Sequence, residues 1–403
     1  MYGARKNEAR LMRRAKIIIG SSYGDEGKGL AAAQACRELG DRCLNILING
    51  GAQRCHTVDL PDGRRHVFHH FGSGTFEGAT SYADRDFILN PLVYADEHRE
   101  LARDFGVRPV LLADGSCRVT LPWDMMLGQI IEESRGAARH GSCGLGIYET
   151  ILRFRDTDWA LDLAALSRVG FKEFRESCRR IVDEYIPRRL GDLGVTPDAE
   201  WLPILRSDSL AERTWQDLQA MLGEVRLVGS WPEAAEGWDG LVFEAGQGLA
   251  LDAGNRADYP HLTPSRTTSL ISACRVAALP GETETEIVYV TRSYLTRHGA
   301  GPFPTECPKE EINPDMEDRT NVPNPHQQTL RYGRFDGEAV LARVRADLEA
   351  TRGKLPGAAA ALLVTHLNET GGRLAGDMAL EALFSGFDRA LVSDVPWAVR
   401  ERL

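Results

Sequence analysis

The apolar run Ile17-Ile18-Ile19 enters the turn Gly20-Ser21-Ser22-Tyr23-Gly24-Asp25-Glu26-Gly27-Lys28-Gly29. A buried strand that ends in a glycine-rich turn and continues as a helix is a unit of α/β sheets, so this one stretch excludes most other architectures. Glycines give the backbone access to positive φ and let its N–H groups approach phosphate oxygens, while Lys28 supplies a point charge. The segment therefore reads as a phosphate-handling loop that also carries carboxylates. It does not meet the pattern G-x-x-x-x-G-K-[ST], because Ser22 stands where the first glycine belongs and Gly29 where a hydroxyl would bind magnesium. Asp25 is then the nearest candidate to hold the metal. The alternative for the loop alone is a tight strand-to-helix turn with solvated charges.

Organisation along the chain supports the same class. Leu30 to Leu39 predicts a helix ended by Gly40, and Cys43-Leu44-Asn45-Ile46-Leu47-Ile48 the next buried strand. The segment from Gly50 to Thr57 follows that strand, so its side chains are expected to converge with Asp25 over one crevice at the strand ends. Residues 158–225 read as a helical insertion; Leu241-Val242-Phe243 and Ile287-Val288-Tyr289-Val290-Thr291 read as core strands. Residues 307–328 hold four prolines and predict an exposed loop. The run Leu355–Leu363 leads into Val364-Thr365-His366-Leu367-Asn368 within a C-terminal part spanning about 340–403. The fold class expected is α/β, with a central, mostly parallel sheet flanked by helices. The 403 residues are assigned to a short extension over 1–15 and one large domain over 16–403.

A net charge of −10 argues against a nucleic-acid partner, since phosphate-backbone binding needs a basic face. The eight cysteines are scattered without a C-x-x-C pair, which predicts free thiols. The basic segment Arg5 to Arg14 runs straight into the first strand without a long apolar region, so it is read as an extension, not a secretion signal. With no apolar span for a membrane, the expected location is the cytoplasm.

The first loop resembles the opening motif of the adenylosuccinate synthetase family, G-x-Q-W-G-D-E-G-K-G-K. Gly50-Gly51-Ala52-Gln53-Arg54-Cys55-His56-Thr57 is similar to that family's G-G-x-N-A-G-H-T with its frame kept. The resemblance continues in Phe243-Glu244-Ala245-Gly246-Gln247-Gly248 and in Tyr259-Pro260-His261-Leu262-Thr263-Pro264-Ser265-Arg266-Thr267-Thr268. Its most literal stretch is Thr296-Arg297-His298-Gly299-Ala300-Gly301-Pro302-Phe303-Pro304-Thr305-Glu306, similar to T-R-V-G-A-G-P-F-P-T-E. The segments keep their order over roughly residues 16 to 370.

The resemblance implies a C–N ligase of purine nucleotides, acting as a homodimer on a purine nucleoside monophosphate, a nucleoside triphosphate and L-aspartate with Mg2+. Such chemistry needs a base for the purine N1 proton, because the 6-oxygen must become nucleophilic enough to take a phosphoryl group. Asp25 is the candidate base and metal ligand, His56 the group that stabilises the transferring phosphoryl, and Gln247 the amide that orients the purine. The backbone carbonyl of Cys55 is the second expected metal ligand. The implied nucleotide-binding set is Ser21, Ser22, Gly24, Glu26, Gly27, Lys28, Gly29, Thr57, Ser142, Cys143, Arg153, Arg155, Thr263, Thr365 and Asn368, with Arg153 or Arg155 reaching across a subunit interface. Arg297 and Arg331 are implied to grip the amino-acid carboxylates.

Departures from the family pattern set the alternatives. In Gln327-Gln328-Thr329-Leu330-Arg331-Tyr332-Gly333-Arg334 only Arg331 keeps its place in a run of arginines. Asn368 replaces the aspartate of T-K-L-D, and an amide both donates and accepts, so it suits adenine; ATP or dATP is expected over GTP. That change and the shortened C-terminal part resemble the phage branch that makes 2-aminoadenylosuccinate from (d)GMP, although that branch often has serine where Asp25 stands. IMP and (d)GMP both stay open. Ser21 and Ser22 are the expected acceptors for a purine 2-amino group. Two other classes compete: a noncatalytic nucleotide-binding descendant, opposed by the joint presence of Asp25, His56 and Gln247, and a P-loop phosphotransferase, opposed by Gly29.

Overall fold

Ile17, Ile18 and Ile19 are at most 1% exposed because the strand carrying them lies inside a ten-stranded sheet. The computed structural model describes residues 12–316 and 329–402. In chain order the sheet contains β1 (Arg13–Gly20), β2 (Cys43–Leu47), β3 (Thr80–Ala83), β4 (Leu111–Asp114), β5 (Arg226–Val228), β6 (Gly240–Gly248), β7 (Thr283–Arg292), β8 (Ala359–Thr365), β9 (Arg389–Val395) and β10 (Ala398–Glu401). They lie side by side as β5-β4-β3-β2-β6-β1-β7-β8-β9-β10. Neighbours run parallel except at the β9–β10 edge.

Both faces of this sheet are covered, which is why its strands read as continuous apolar runs without alternation. Ile18 packs with Ala31, Ala32, Ala35 and Cys36 of helix α1 (Lys28–Leu39). Ile17 and Ile19 face the other way, into a cluster with Ala273 and Val276 of the helix Ser269–Ala277 and Val340 and Val344 of the helix Gly337–Arg352. Each such isoleucine contributes roughly 1.5–3 kcal/mol. A further apolar cluster joins Leu47, Ala83 and Ala113 to Trp123, Leu127, Phe174 and Leu218. Phe174 and Leu218 belong to helices Phe171–Arg180 and Asp208–Glu224 of the region read as a helical insertion.

The parallel arrangement sends the loops after β1, β2, β7 and β8 to the same edge of the sheet, where open α/β sheets hold ligands. Two small antiparallel pairs complete that edge: His56–Asp59 with Arg65–Phe68, and Leu295–Arg297 with Arg331–Gly333. Residues 1–11 of the predicted extension and 317–328 of the predicted loop, including Gln327 and Gln328, lie outside the described residues. Among the described residues no helix is long and apolar enough to cross a membrane.

Candidate functional site

The turn after β1 closes on itself through Glu26. Its carboxylate accepts from the Ser22 backbone N–H at 2.6 Å, the Ser21 hydroxyl at 3.2 Å and the Gly24 N–H at 3.3 Å. Burial pushes the Glu26 carboxyl up to about 7, against the pull of Lys28. Gly27 caps α1 with φ +88°, and a Cβ there would lie 2.9 Å from the Thr365 methyl. Gly29 has a different reason: a Cβ would collide with the carbonyl oxygen of Thr57. No serine or threonine can stand after Lys28 while the loop after β2 approaches this closely.

A cavity of about 480 Å³ opens above these loops. It is lined by Asp25, Glu26, Gly27, Lys28 and Gly29 from the first loop and by Cys55, His56 and Thr57 from the second. Thr365, His366, Asn368 and Glu369 enter from the end of β8, and Arg292 and Tyr294 from the end of β7. The volume and mixed lining suit a small polar ligand. Burial lowers the Lys28 ammonium below its ordinary range, although Glu26, Asp25 and Glu244 oppose that.

Beneath the cavity floor lies a buried ionic group that sequence reading quoted but did not assign. Glu244 on β6 is fully buried. One oxygen accepts from His56 Nδ1 at 2.5 Å, from the Ser73 hydroxyl at 2.5 Å and from Arg54. The other accepts from Asn45 Nδ2 at 3.0 Å and the Ser73 N–H at 3.1 Å. Burial opposes ionisation, but Arg54 and these hydrogen bonds outweigh it and hold Glu244 well below the usual carboxylate range. A carboxylate only accepts, so the proton of neutral His56 sits on Nδ1 and Nε2 is left with its lone pair. Nε2 is buried and has no hydrogen-bond partner. Burial, reinforced by Arg54, lowers His56 to about 4 despite Glu244. The imidazole is a neutral acceptor at pH 7, backed by a carboxylate that would stabilise it once protonated. A glutamate interrupting the apolar strand Leu241-Val242-Phe243 was the available signal for this arrangement.

Asp25 has φ 52°, uncommon for a residue with a Cβ. Its Oδ2 lies 2.7 Å from Nε2 of His298, and its backbone carbonyl accepts from Arg292 Nε. Burial would raise this carboxyl, but His298, Arg292 and Lys28 together hold it well below the usual range. Arg292 continues through the Tyr294 hydroxyl at 2.6 Å to Glu369 at 2.5 Å. Asp25 is thereby wired to the Asn368–Glu369 rim of the cavity.

The remaining residues fall into distinct groups. Gln247 and Gly24 do not line this cavity; the Gln247 Oε1 would be 3.1 Å from a Cβ on Gly24, so the amide lies against the loop. Cys143 is close enough to Cys55 to disfavour its thiolate, but burial dominates and pushes the Cys55 thiol up to about 12. Ser142 is exposed and its hydroxyl accepts from the Gly144 N–H at 3.2 Å. Thr263 donates to the Leu251 carbonyl at 2.7 Å, away from the cavity lining. Arg155 is exposed beyond the helix Ile147–Phe154. Arg297 is buried, donating to Pro302 O at 3.0 Å and His261 O at 2.8 Å. Arg331 donates to Gly299 O and Gly301 O at 3.0 Å each and pairs with Glu306. Both arginines thus brace the 297–306 loop. Gln53 Oε1, His261 Nδ1 and Arg297 Nε are buried without a hydrogen-bond partner.

Two sequence expectations need correction. Ser21 and Ser22 are buried, with the first hydroxyl on Glu26 and the second accepting from Arg343 at 3.2 Å, so neither faces the cavity as an acceptor for a ligand. Arg153 is fully buried and all its nitrogens are engaged. It donates to both Asp124 oxygens at 2.8 Å and to the carbonyls of Trp159 and Val119 at 2.8 Å. It cannot reach a nucleotide without breaking that network.

A family model described as adenylosuccinate synthetase matches residues 17–347. The adenylosuccinate synthetase of Thioalkalivibrio sulfidiphilus is 29% identical over 300 residues, covering 72% of this chain and 64% of the relative. That of Acidithiobacillus ferrooxidans is 29% identical over 341 residues, covering 82% and 74%. This chain therefore spans less than two thirds of some of the relatives it matches. Among solved structures, the fully ligated adenylosuccinate synthetase of Plasmodium falciparum is similar in fold, with TM-score 0.63, 19% identity and coverage of 94% and 80%. The cyanophage S-2L succinoaminodeoxyadenylate synthetase, bound to dGMP and dATP as an energy donor, gives TM-score 0.59 and 16% identity but covers 97% of this chain and 95% of its own.

The buried Arg153–Asp124 pair makes a stability test. Arg153→Ala leaves Asp124 buried without its cation and should destabilise the protein by about 3–5 kcal/mol in denaturant unfolding. A variant of unchanged stability with weakened nucleotide binding would restore the nucleotide role to Arg153.

Proposed function

This chain belongs to the adenylosuccinate synthetase family, and from that premise we propose that it is a C–N ligase joining L-aspartate to a 6-oxopurine nucleoside monophosphate. The observation that carries the proposal is the convergence of Asp25, Lys28 and His56 on one cavity from the loops after β1 and β2. Asp25 takes the purine N1 proton as the 6-oxygen attacks the γ-phosphorus of a nucleoside triphosphate, releasing the diphosphate. The aspartate amine then attacks C6, and the 6-oxygen leaves as phosphate with loss of an amine proton. Its cationic neighbours hold Asp25 ionised, so the carboxylate can accept the N1 proton as the bond to phosphorus forms. His56 Nε2, backed by Glu244, takes the proton that the attacking amine releases and, once charged, donates to the departing phosphate oxygen.

The residues fit Mg2+. The Asp25 carboxylate and the Cys55 backbone carbonyl are hard oxygen donors on the same cavity, and Mg2+ bound to one carboxylate is completed by waters and phosphate oxygens. When bound, the ion would neutralise charge on the transferring phosphates.

Asn368 on the cavity rim supports an adenine donor, ATP or dATP, because its amide matches the N1 acceptor and 6-amino donor of that base. For the purine substrate, IMP and (d)GMP are both read as candidates. Exposed Arg155 supports a homodimer in which it would serve the partner's nucleotide.

Incubation with IMP, GMP or dGMP, L-aspartate, Mg2+ and ATP, dATP or GTP should yield a succinylated purine nucleotide detectable by mass. Absence of product from every combination would overturn the ligase reading. Asp25→Asn and His56→Asn should each fold yet lose about 10²–10⁴-fold in turnover. Full activity in either variant would remove the assigned chemistry. Asn368→Asp should shift donor preference from adenine toward guanine nucleotides, measured as the ratio of kcat/KM values; a wild type that strongly prefers GTP contradicts the amide argument.

A further inference from the structure

Within Thr296–Glu306 only His298 departs from the T-R-V-G-A-G-P-F-P-T-E pattern, and it is the residue whose side chain touches Asp25. The contact is made between firm supports. On one side Arg297 is tied to the carbonyls of Pro302 and His261, and on the other Arg331 holds the carbonyl of Gly299. The strand Leu295–Arg297 is itself paired to Arg331–Gly333. His298 therefore projects from a fixed platform, and its Nε2 sits 2.7 Å from Oδ2 of Asp25.

We propose that His298 is a positioning residue that fixes the Asp25 carboxylate for proton transfer, an inference that rests on the reading of Asp25 as base. Asp25 has a backbone conformation that residues with a side chain rarely adopt, φ 52°, so its geometry must be imposed by surrounding contacts. Arg292 holds its carbonyl and His298 holds one carboxylate oxygen. With the imidazole Nε2 at ion-pair distance from Oδ2, the carboxylate is restrained from rotating about its last bond. A valine at 298 would supply neither donor nor restraint.

Three variants and two readouts test this. His298→Val should lower kcat by about 10–100-fold, the scale of a misoriented catalytic group, while nucleotide KM values change less than about threefold. His298→Gln carries an amide N–H at a reach close to that of Nε2 and should recover most of the loss. In an Asp25→Asn background, His298→Val should cost little more, since residues acting through one another are not additive. Wild-type or faster turnover in His298→Val, equal loss in the glutamine variant, or fully additive losses would each overturn the proposal. A wild type without product would instead overturn the ligase reading, and a fully active Asp25→Asn the reading of Asp25 as base. The contact is then judged without turnover: in NMR of 15N-histidine protein, the His298 Nε2 proton should resist solvent exchange in wild type and exchange rapidly in Asp25→Ala. Rapid exchange in both proteins would refute the contact and the proposal with it.

Discussion

The ion group around Glu244 is the constraint on which the site depends. A carboxylate with no access to water is stable only when its lone pairs are matched, and five donors from Arg54, His56, Ser73 and Asn45 do so. Those partners come from β2, the loop after it and the segment after the Arg65–Phe68 strand, so one buried charge gathers three parts of the chain. It also decides the tautomer of His56 and aims its unprotonated nitrogen at the cavity. Removing Glu244 would leave Arg54 as an uncompensated buried cation beside a histidine whose protonation it already opposes.

Around this anchor the protein holds charges of both signs closer than water would allow. Lys28, Arg54 and Arg292 lie among Asp25, Glu26 and Glu244 within one buried region, and the carboxyls answer in two ways. Asp25 and Glu244 gain cationic partners and stay ionised. Glu26 is surrounded chiefly by backbone N–H groups and one hydroxyl, and burial pushes it up to about 7. Lys28 and Asp25 line the cavity, while the Glu26 carboxylate is tied to the loop's own backbone.

The arginines show how residue type misleads without burial. Arg153 follows a glycine-rich segment and reads as a phosphate partner, yet it forms a satisfied pair with Asp124 inside the helical layer. Arg297 and Arg331 brace the 297–306 loop, Arg297 through the Pro302 carbonyl and Arg331 through the carbonyls of Gly299 and Gly301. Ser21 and Ser22 are likewise drawn inward by Glu26 and Arg343.

By itself the sequence determined the sheet and the place of the site on it. A strand buried on both faces must be largely apolar, a glycine turn must follow it where the backbone turns sharply, and these local requirements are written in Ile17–Gly29 and Cys43–Thr57. They brought Asp25, Lys28, Cys55, His56 and Thr57 to one cavity as expected from strand-end loops. Tertiary structure alone decided which side chains complete it. Glu244, Arg54 and His298 act through pairings across 188, 190 and 273 positions, namely 244 − 56, 244 − 54 and 298 − 25, and no periodicity or spacing encodes such distances. It also decided that Gly29 is glycine because Thr57 passes beside it, and that Arg153 is structural because Asp124 is buried beneath it, since packing and desolvation are properties of neighbours in space.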